Sequence, residues 1–248
     1  MLYNDRIEFT KNDIDEYLKE VSKEYKKRSG RNIPAEIILV GGASVLINYG
    51  FRQMTTDVDA MYEAASSMRD AINSVGDKFD LPNGWLNTDF INTNSYTPEL
   101  RKFATHYKTF YQVVDVYTIK AEYLIAMKLK SGRMYKNDLS DVLGILNEHK
   151  KAGNEITLAQ IQKSVINLYG SWESISEQSR KFIESMLKDE KYVNQYEMIR
   201  KQELENKDAL LMFEEDYPKA VNKSNVDEIM QMLIDKMPDN DKLHPPKR

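Results

Sequence analysis

An apolar run that ends in two glycines constrains the fold of this chain more than any other feature. Residues 37–40 read Ile-Ile-Leu-Val and are followed directly by Gly41 and Gly42. Two consecutive glycines allow a sharp turn and a close approach of the backbone to a ligand, because neither carries a Cβ. Residues 44–49 then have the length of a short helix that stops at Gly50. We therefore expect a buried strand, a glycine turn and a short helix in direct succession.

Two aspartates one residue apart follow this unit. Asp57 and Asp59 lie on either side of Val58, in a segment (57–62) that is typical of a second strand. Side chains at positions i and i+2 of a strand point to the same face, so both carboxylates are expected to lie together while Val58 points into the core. Carboxylate oxygens suit Mg²⁺ or Mn²⁺, which usually bind substrate phosphates as well. The pair predicts a site for one divalent cation or two neighbouring ones.

The start of the short helix is the predicted partner of this metal site. A helix N-terminus presents unpaired N–H groups and a partial positive charge, both of which favour a phosphate. Gly41, Gly42 and Ser44 are therefore predicted to form a phosphate cradle. Ser44 would alternatively be a simple helix cap, a role that is compatible with phosphate binding. A phosphate cradle beside a metal-binding carboxylate pair is typical of phosphoryl or nucleotidyl transfer, in which positioning and charge neutralisation dominate catalysis.

This ordered set of residues resembles the signature of the DNA polymerase β-type nucleotidyltransferase superfamily. Among its members, the chain is most similar to bacterial AbiEii-like abortive-infection toxin nucleotidyltransferases. The resemblance rests on Gly-Gly-x-Ser at 41–44, Arg52, Thr55-Thr56 and Asp-x-Asp at 57–59. It continues in residues 85–89, 124–133 and 136–141 and becomes weaker in the helical remainder.

The resemblance implies a metal-dependent transfer of NMP from an NTP to an acceptor, with Mg²⁺ or Mn²⁺ as the cofactor. Asp57 and Asp59 would hold the metal. The acceptor is expected to be RNA, with tRNA as one possibility, and the chain is expected to be the toxin of a toxin–antitoxin pair with an antitoxin protein as partner. The residues expected to bind the nucleotide are Gly41, Gly42, Ser44, Lys128, Arg133 and Asp138.

Members of the superfamily usually have a third carboxylate, which completes the metal site and activates the attacking hydroxyl. We assign this role to Asp89, because residues 85–89 resemble the corresponding region of the family. Asp115 is the alternative, since it lies in the predicted strand 109–117 and points away from its valine neighbours. A second alternative concerns Arg133, which would either grip phosphate or pair with Asp138.

Two other functions are compatible with the same residues. A degenerate nucleotidyltransferase fold would bind a nucleotide or a partner protein without chemistry. An antibiotic-modifying adenylyltransferase would share the glycine–serine and Asp-x-Asp elements but would transfer AMP to a small molecule.

Composition excludes several other classes of protein. The chain has 248 residues and no cysteine, so disulfides, thiolate zinc sites and cysteine nucleophiles are ruled out. Its three histidines are scattered, which argues against a histidine metal cluster or a Ser-His-Asp triad. The net charge of −4 argues against a strongly basic nucleic-acid-coating protein. The polar start of the chain and the lack of an apolar stretch long enough to span a bilayer favour a cytoplasmic protein without membrane contact.

The pattern along the chain predicts an α+β fold, with a small mixed sheet flanked by helices and followed by a helical domain. Strands are expected at 36–41, 57–62, 85–91 and 109–117. Helices are expected at 11–29, where Thr10 would be the cap, and at 64–75, 118–130, 137–150, 157–168, 176–188, 191–217 and 225–236. Residues 1–117 are predicted to form the nucleotidyltransferase core with its N-terminal helix. Residues 118–238 are predicted to form a helical domain that completes the nucleotide site, and residues 239–248 a disordered tail.

Overall fold

A five-stranded mixed sheet organises the N-terminal half of the protein. The structure, a computed structural model, describes residues 8–29, 33–62, 66–222 and 224–236. It is an α+β protein with a C-terminal helical region, which confirms the predicted fold class. The strands are β1 (Ala35–Leu39), β2 (Val58–Tyr62), β3 (Leu86–Asn87), β4 (Ala104–Phe110) and β5 (Val114–Ile119).

The sheet has the strand order β3-β2-β1-β5-β4. Strand β1 pairs with β2 in antiparallel and with β5 in parallel orientation. The pair β2–β3 is parallel and the pair β4–β5 is antiparallel. The strand that precedes the glycine turn and the strand that follows Asp57 are therefore direct neighbours, so the two halves of the predicted site meet at one end of the β1–β2 pair.

One face of the sheet carries the core. The helices of this part of the chain are α1 (Lys11–Ser29), α2 (Gly41–Asn48) and α3 (Ser66–Phe79), and α1 packs against α3. The apolar residues that form the core with α1 and α3 alternate along the strands: they include Ile37, Leu39, Val58, Ala60, Val114 and Val116. Because side chains alternate between faces, Asp59 projects from the face opposite this core.

Helix α1 begins where the sequence predicts. The Thr10 backbone N–H donates to Asp13 Oδ2 at 2.8 Å, and the Asp13 N–H donates to Thr10 Oγ1 at 3.3 Å. This reciprocal pair satisfies N–H groups that the first helical turn leaves free. The helix buries Ile14, Leu18 and Val21 at helical spacing, which confirms the predicted amphipathic pattern.

Two predicted strands and the end of one predicted helix are wrong. The predicted strand 109–117 is a β-hairpin, because Tyr111 and Gln112 turn the chain with φ values of 51° and 58°. The run of β-branched and aromatic residues conceals this turn, since it contains no Gly, Pro or Asn. The predicted strand 85–91 is reduced to the two residues of β3. Gly76 does not end its helix: a Cβ there would lie 3.4 Å from Trp85 Cδ1, so the glycine lets the indole pack closely while α3 continues to Phe79.

The chain divides into two compact units, the first ending at Leu124 and the second beginning at Ile125. The boundary falls within α4 (Ala121–Ser131), which starts three residues later than predicted because β5 extends to Ile119. The remaining helices are α5 (Asp138–Lys151), α6 (Leu158–Tyr169), α7 (Glu177–Leu187), α8 (Tyr192–Asp216) and α9 (Val226–Lys236). The domain boundary near Tyr117 stays a prediction, and the predicted disordered tail lies outside the described residues. None of the described helices has the length and apolar character needed to cross a membrane.

Candidate functional site

The glycine turn forms the start of helix α2. Gly41 is the first residue of the helix and has a φ of +53°, a left-handed conformation that favours glycine. Val40 occupies the N-cap position and makes no side-chain capping hydrogen bond. The first N–H groups of a helix have no partner within it, and Val40 has no side-chain oxygen with which to satisfy them. The start of α2 therefore has the chemistry of an anion site.

Asp59 lies beside this turn. The Val40 N–H donates to the Asp59 backbone oxygen at 3.0 Å, which joins β2 to the end of β1. A Cβ on Gly41 would lie 3.6 Å from Asp59 Oδ2, in ordinary van der Waals contact. The carboxylate of Asp59 thus borders the first residue of α2.

Asp57 lies one residue before β2 and is connected to the same turn through Thr55. The Thr55 hydroxyl donates to the Asp57 backbone oxygen at 3.1 Å and lies 3.4 Å from Asp57 Oδ1. A Cβ on Gly42 would come within 2.8 Å of Thr55 Oγ1 and within 2.7 Å of Arg52 Nη2. Both aspartates are therefore next to the glycine turn, one directly and one through Thr55.

Ser44 has a structural contact in this site. It lies in the first turn of α2, where its N–H donates to the Val40 oxygen at 3.2 Å. Its side chain is fully buried, and its Oγ accepts the Ile119 N–H at 3.0 Å. The capping alternative for Ser44 is wrong, because Val40 is the N-cap residue. Its predicted role in phosphate binding stays a prediction.

The strand register bears on the two alternatives for a third carboxylate. Asp115 pairs with Glu36 at the start of β1, whereas Asp59 adjoins Val40 at the end. Four residues of strand separate these levels, which corresponds to about 13 Å. Asp115 instead accepts a 2.5 Å hydrogen bond from Thr109 at the edge of the sheet.

Asp89 follows β3, which lies on the side of β2 away from β1 and β5. Asn87, its neighbour two residues earlier, is the register partner of Asp59 in the β2–β3 pair. The Asp89 N–H donates to Asn87 Oδ1 at 2.8 Å, at the start of a short 3₁₀ turn. Burial raises the pKa of Tyr62, the last residue of β2, and of the two nearby charges Arg69 lowers this pKa while Asp89 raises it. The role of Asp89 as third carboxylate stays a prediction.

The donor set at the acid pair suits a hard cation. Among the described residues, no group of three or more His, Asp or Glu side chains is arranged to hold a metal ion. Asp57 and Asp59 offer carboxylate oxygens, and the start of α2 beside them offers N–H groups for phosphate oxygens. Mg²⁺ and Mn²⁺ are commonly bound in this manner, through one or two carboxylates together with substrate phosphates and water. The residues present therefore fit the predicted metal.

The second compact unit holds a buried group of charges. Lys128 Nζ donates to Asp138 Oδ1 at 2.9 Å and lies 2.8 Å from Asp141 Oδ2. Arg133 Nε donates to Asp138 Oδ2 at 2.8 Å, so the predicted pairing of Arg133 with Asp138 is present. Burial acts to raise the pKa of Asp138, but Arg133 and Lys128 outweigh it and hold the pKa far below its ordinary value. The predicted nucleotide contacts of Lys128, Arg133 and Asp138 stay predictions.

Glu203 of α8 completes this group. Its carboxylate accepts the Leu139 N–H at 2.7 Å and the Ser140 hydroxyl at 2.5 Å, at the start of α5. Burial raises the pKa of Glu203 to about 8. The sequence gives no direct signal for this contact, because Glu203 stands in a segment with many other charged residues and reads as solvated.

Three further residues lie at the site, beyond those predicted to bind metal or nucleotide. Thr55 and Arg52 contact the glycine turn, and Asn87 faces Asp59 in the sheet. The motif spacing draws attention to Thr55 and Arg52, whereas Asn87 is detectable only once the pairing of β2 with β3 is known.

Comparison with known proteins identifies the family. The sequence model of a family described as "Nucleotidyltransferase of unknown function (DUF6036)" matches residues 16–202. This match confirms the predicted assignment to nucleotidyltransferases, whereas the closer similarity to AbiEii-like toxins stays a prediction. No curated protein and no solved structure matches the chain. Since the match covers most of the sequence, the glycine turn and acid pair belong to a member of the DUF6036 family of nucleotidyltransferases of unknown function.

Proposed function

We propose that this protein is a metal-dependent nucleotidyltransferase that moves NMP from an NTP to an acceptor and releases pyrophosphate. The proposal rests on one observation, the contact between Asp59 and the start of α2. A Cβ added to Gly41 would lie 3.6 Å from Asp59 Oδ2. A metal-binding carboxylate and a phosphate-binding helix start are thereby adjacent, and a metal-bound triphosphate requires both.

In this proposal the protein mainly positions the NTP and neutralises the charge of its triphosphate. The N–H groups at Gly41 and Gly42 bind phosphate oxygens of the NTP, and Asp57 and Asp59 hold Mg²⁺ or Mn²⁺. When bound, the cation neutralises charge on the triphosphate and its pyrophosphate leaving group. Ser44 contributes through the packing that fixes α2 against β5.

The transfer step is a substitution at the α-phosphorus of the NTP. The acceptor oxygen attacks the α-phosphorus, and the bond from that phosphorus to the oxygen bridging to the β-phosphate breaks. Pyrophosphate leaves with the electron pair of this bond. The proton of the acceptor hydroxyl passes to a carboxylate, and we propose Asp89 for this role.

The acceptor and the biological role form the finer part of the proposal. We propose RNA, with tRNA as a specific candidate, and a toxin function that an antitoxin protein would control. This part is supported only by the resemblance of the sequence motifs to AbiEii-like nucleotidyltransferases. Location in the cytoplasm is a further part of the proposal, supported by the lack of an apolar stretch long enough to span a bilayer.

The decisive experiment combines the purified protein with Mg²⁺, each α-³²P-labelled NTP, total RNA and a panel of aminoglycosides. We expect label in RNA with at least one NTP. Asp57→Ala should abolish the transfer, because it removes a metal ligand, and should retain the circular dichroism of the folded protein.

Each other outcome contradicts a defined part of the proposal. Label in the small molecules would identify an antibiotic-type adenylyltransferase instead. Nucleotide binding without transfer to any acceptor would identify a degenerate fold. Normal transfer by the folded Asp57→Ala variant would show that the acid pair is not the metal site.

A further inference from the structure

We infer that Thr55, together with Arg52, is a positioning residue that holds Asp57 in place against the glycine turn. The inference deepens the proposed function, on which it rests, because it assigns a role in geometry to residues that would touch neither metal nor nucleotide. It predicts that removal of one hydroxyl group, at a residue outside the metal site, weakens metal binding.

The side chain of Thr55 connects three parts of the site. Its hydroxyl donates to the Asp57 backbone oxygen at 3.1 Å, and Oδ1 of the Asp57 carboxylate lies 3.4 Å away. The hydroxyl oxygen of Thr55 also accepts a hydrogen bond from Arg52 Nη2 at 3.4 Å. Arg52 is held in turn by a 3.1 Å hydrogen bond from its Nε to the Met54 oxygen. Thr55 therefore links the guanidinium group to the backbone and the carboxylate of Asp57.

The backbone of Thr55 is anchored independently. The Phe9 N–H donates to the Thr55 oxygen at 2.7 Å, and the Thr55 N–H donates to the Phe9 oxygen at 3.0 Å. Phe9 is buried in the core, where its ring lies near those of Tyr17 and Trp85. Thr55 is itself 2% exposed. A residue fixed on both sides transmits its position to its neighbour, since it has no room to relax.

The glycine turn is fitted closely to this pair. A Cβ on Gly42 would lie 2.7 Å from Arg52 Nη2 and 2.8 Å from Thr55 Oγ1, which are distances that require movement of one partner. The lack of a side chain at Gly42 thus lets Arg52 and Thr55 rest directly on the start of α2. The spacing between phosphate site and Asp57 is set by this contact.

Removal of the Thr55 hydroxyl should have only a small effect on stability, because one neutral hydrogen bond stabilises a folded protein modestly. Its effect on catalysis should be larger, since a displacement of about 1 Å in the reacting groups can reduce the rate by about 100-fold. If Thr55 had only a structural role, loss of its hydroxyl would lower stability slightly and leave the rate almost unchanged. The two are separable by experiment.

The test compares Thr55→Val with Thr55→Ser and with Thr56→Val, all in the chain of 248 residues. Valine keeps the branched shape and removes the hydroxyl, whereas serine keeps the hydroxyl. Thr56→Val makes the same chemical change one residue away, at a partly exposed side chain. Steady-state kinetics would give kcat, the KM for NTP and the Mg²⁺ concentration at half-maximal rate. Mn²⁺ binding, followed by electron paramagnetic resonance with a non-hydrolysable NTP, provides a readout without transfer.

For Thr55→Val we expect kcat to fall by about 10- to 100-fold, with a higher Mg²⁺ requirement and weaker Mn²⁺ binding. Thr55→Ser and Thr56→Val should stay within about threefold of the wild type, since both keep the hydrogen bond at position 55. Gly42→Ala should reproduce the Mn²⁺ defect from the helix side, which gives a second variant if Thr55→Val does not fold.

Three results would overturn the inference: wild-type Mn²⁺ binding in Thr55→Val, equal defects in the valine and serine variants, or an equal defect in Thr56→Val. Failure of the proposed function is distinct, because it would show as a lack of transfer by the wild-type protein itself. In that case the Mn²⁺ titration still decides whether Thr55 positions a metal ligand, and a wild-type protein that binds no Mn²⁺ would refute both.

Discussion

At the scale of single residues, the site is a short series of contacts between acids and glycines. Gly41 adopts a φ of +53°, which costs about 1–2 kcal/mol for a residue with a side chain. Gly42 has no such strain, but its missing Cβ leaves space for Arg52 and Thr55. The two adjacent glycines therefore serve different purposes, one conformational and one steric.

A residue-scale prediction decides between the two alternatives for the third carboxylate. Asp89→Asn should lower kcat by at least about 100-fold, because it removes the proposed proton acceptor. Asp115→Asn should remain within about twofold of the wild type, since the register places Asp115 about 13 Å along the sheet from Asp59. The measurement is the initial rate of labelled nucleotide transfer at saturating Mg²⁺.

Asparagine keeps the size of the side chain and removes only the charge, so folding is little affected. If Asp115→Asn were the impaired variant, the role would belong to Asp115. Full activity in both variants would show that neither carboxylate takes the proton.

The sequence predicts the acid pair and the glycine turn, because both are local motifs whose chemistry follows from residue type and spacing. It does not predict the contacts of Thr55 with Gly42 or the pairing of Asn87 with Asp59. These contacts join residues that become neighbours only through strand pairing, and no local pattern specifies that register.

At the scale of secondary structure elements, the differences between prediction and structure occur where the usual signals are absent. The β4–β5 hairpin turns at Tyr111 and Gln112, which lack the Gly or Asn that normally marks such a turn. Conversely, Gly76 carries a helix-stop signal that packing against Trp85 overrides. The long helices are predicted closely, since their apolar spacing repeats over several turns.

Helix α8 allows an element-scale prediction about pH. In the folded protein, burial raises the pKa of Glu203 to about 8, whereas an ordinary glutamate has a pKa of 4.5. The folded state thus binds more protons than the unfolded state between these values, so stability decreases as pH rises through this window. We expect the melting temperature to fall between pH 5.5 and 8.5, and Glu203→Gln, which is neutral at every pH, to flatten this dependence.

The measurement is differential scanning calorimetry across that pH range. Glu205→Gln is a matched control, because Glu205 is exposed on the same helix and pairs only at the surface with Lys201. Parallel pH profiles of the wild type and Glu203→Gln would contradict the prediction. The lowered pKa of Asp138 has the opposite effect on the pH dependence of stability. It stabilises the folded protein above the ordinary aspartate pKa of 3.8, and this stability is lost as pH falls below that value.

At the scale of the whole molecule, the α+β class follows from the order of patterns along the chain. Alternating helical and strand signals before residue 117 and almost continuous helical periodicity after it are sufficient to predict a sheet followed by helices. The strand order and the mixture of parallel and antiparallel pairs depend on contacts across the whole sheet, and a single sequence does not specify them.

A whole-molecule prediction concerns ligand stabilisation. A non-hydrolysable NTP with Mg²⁺, at about 100 times its dissociation constant, should add about 2.7 kcal/mol of stability and raise the melting temperature by about 5–10 °C. EDTA should remove most of this shift, because the acid pair would hold the triphosphate through the metal. Scanning fluorimetry measures the effect for the wild type and for Asp57→Asn, in which we expect almost no shift. A shift that persists in EDTA would mean that the nucleotide binds without metal.

The bridge between Phe9 and Thr55 has a practical consequence for anyone producing this protein. The segment ahead of α1 is the strand partner of the loop that carries Asp57, although nearly fifty positions separate them along the chain. Trimming the N-terminus past Phe9, or fusing a tag directly to α1, would loosen that loop while leaving every motif residue in place. Any expressed polypeptide should therefore include Phe9 and the residues directly before it.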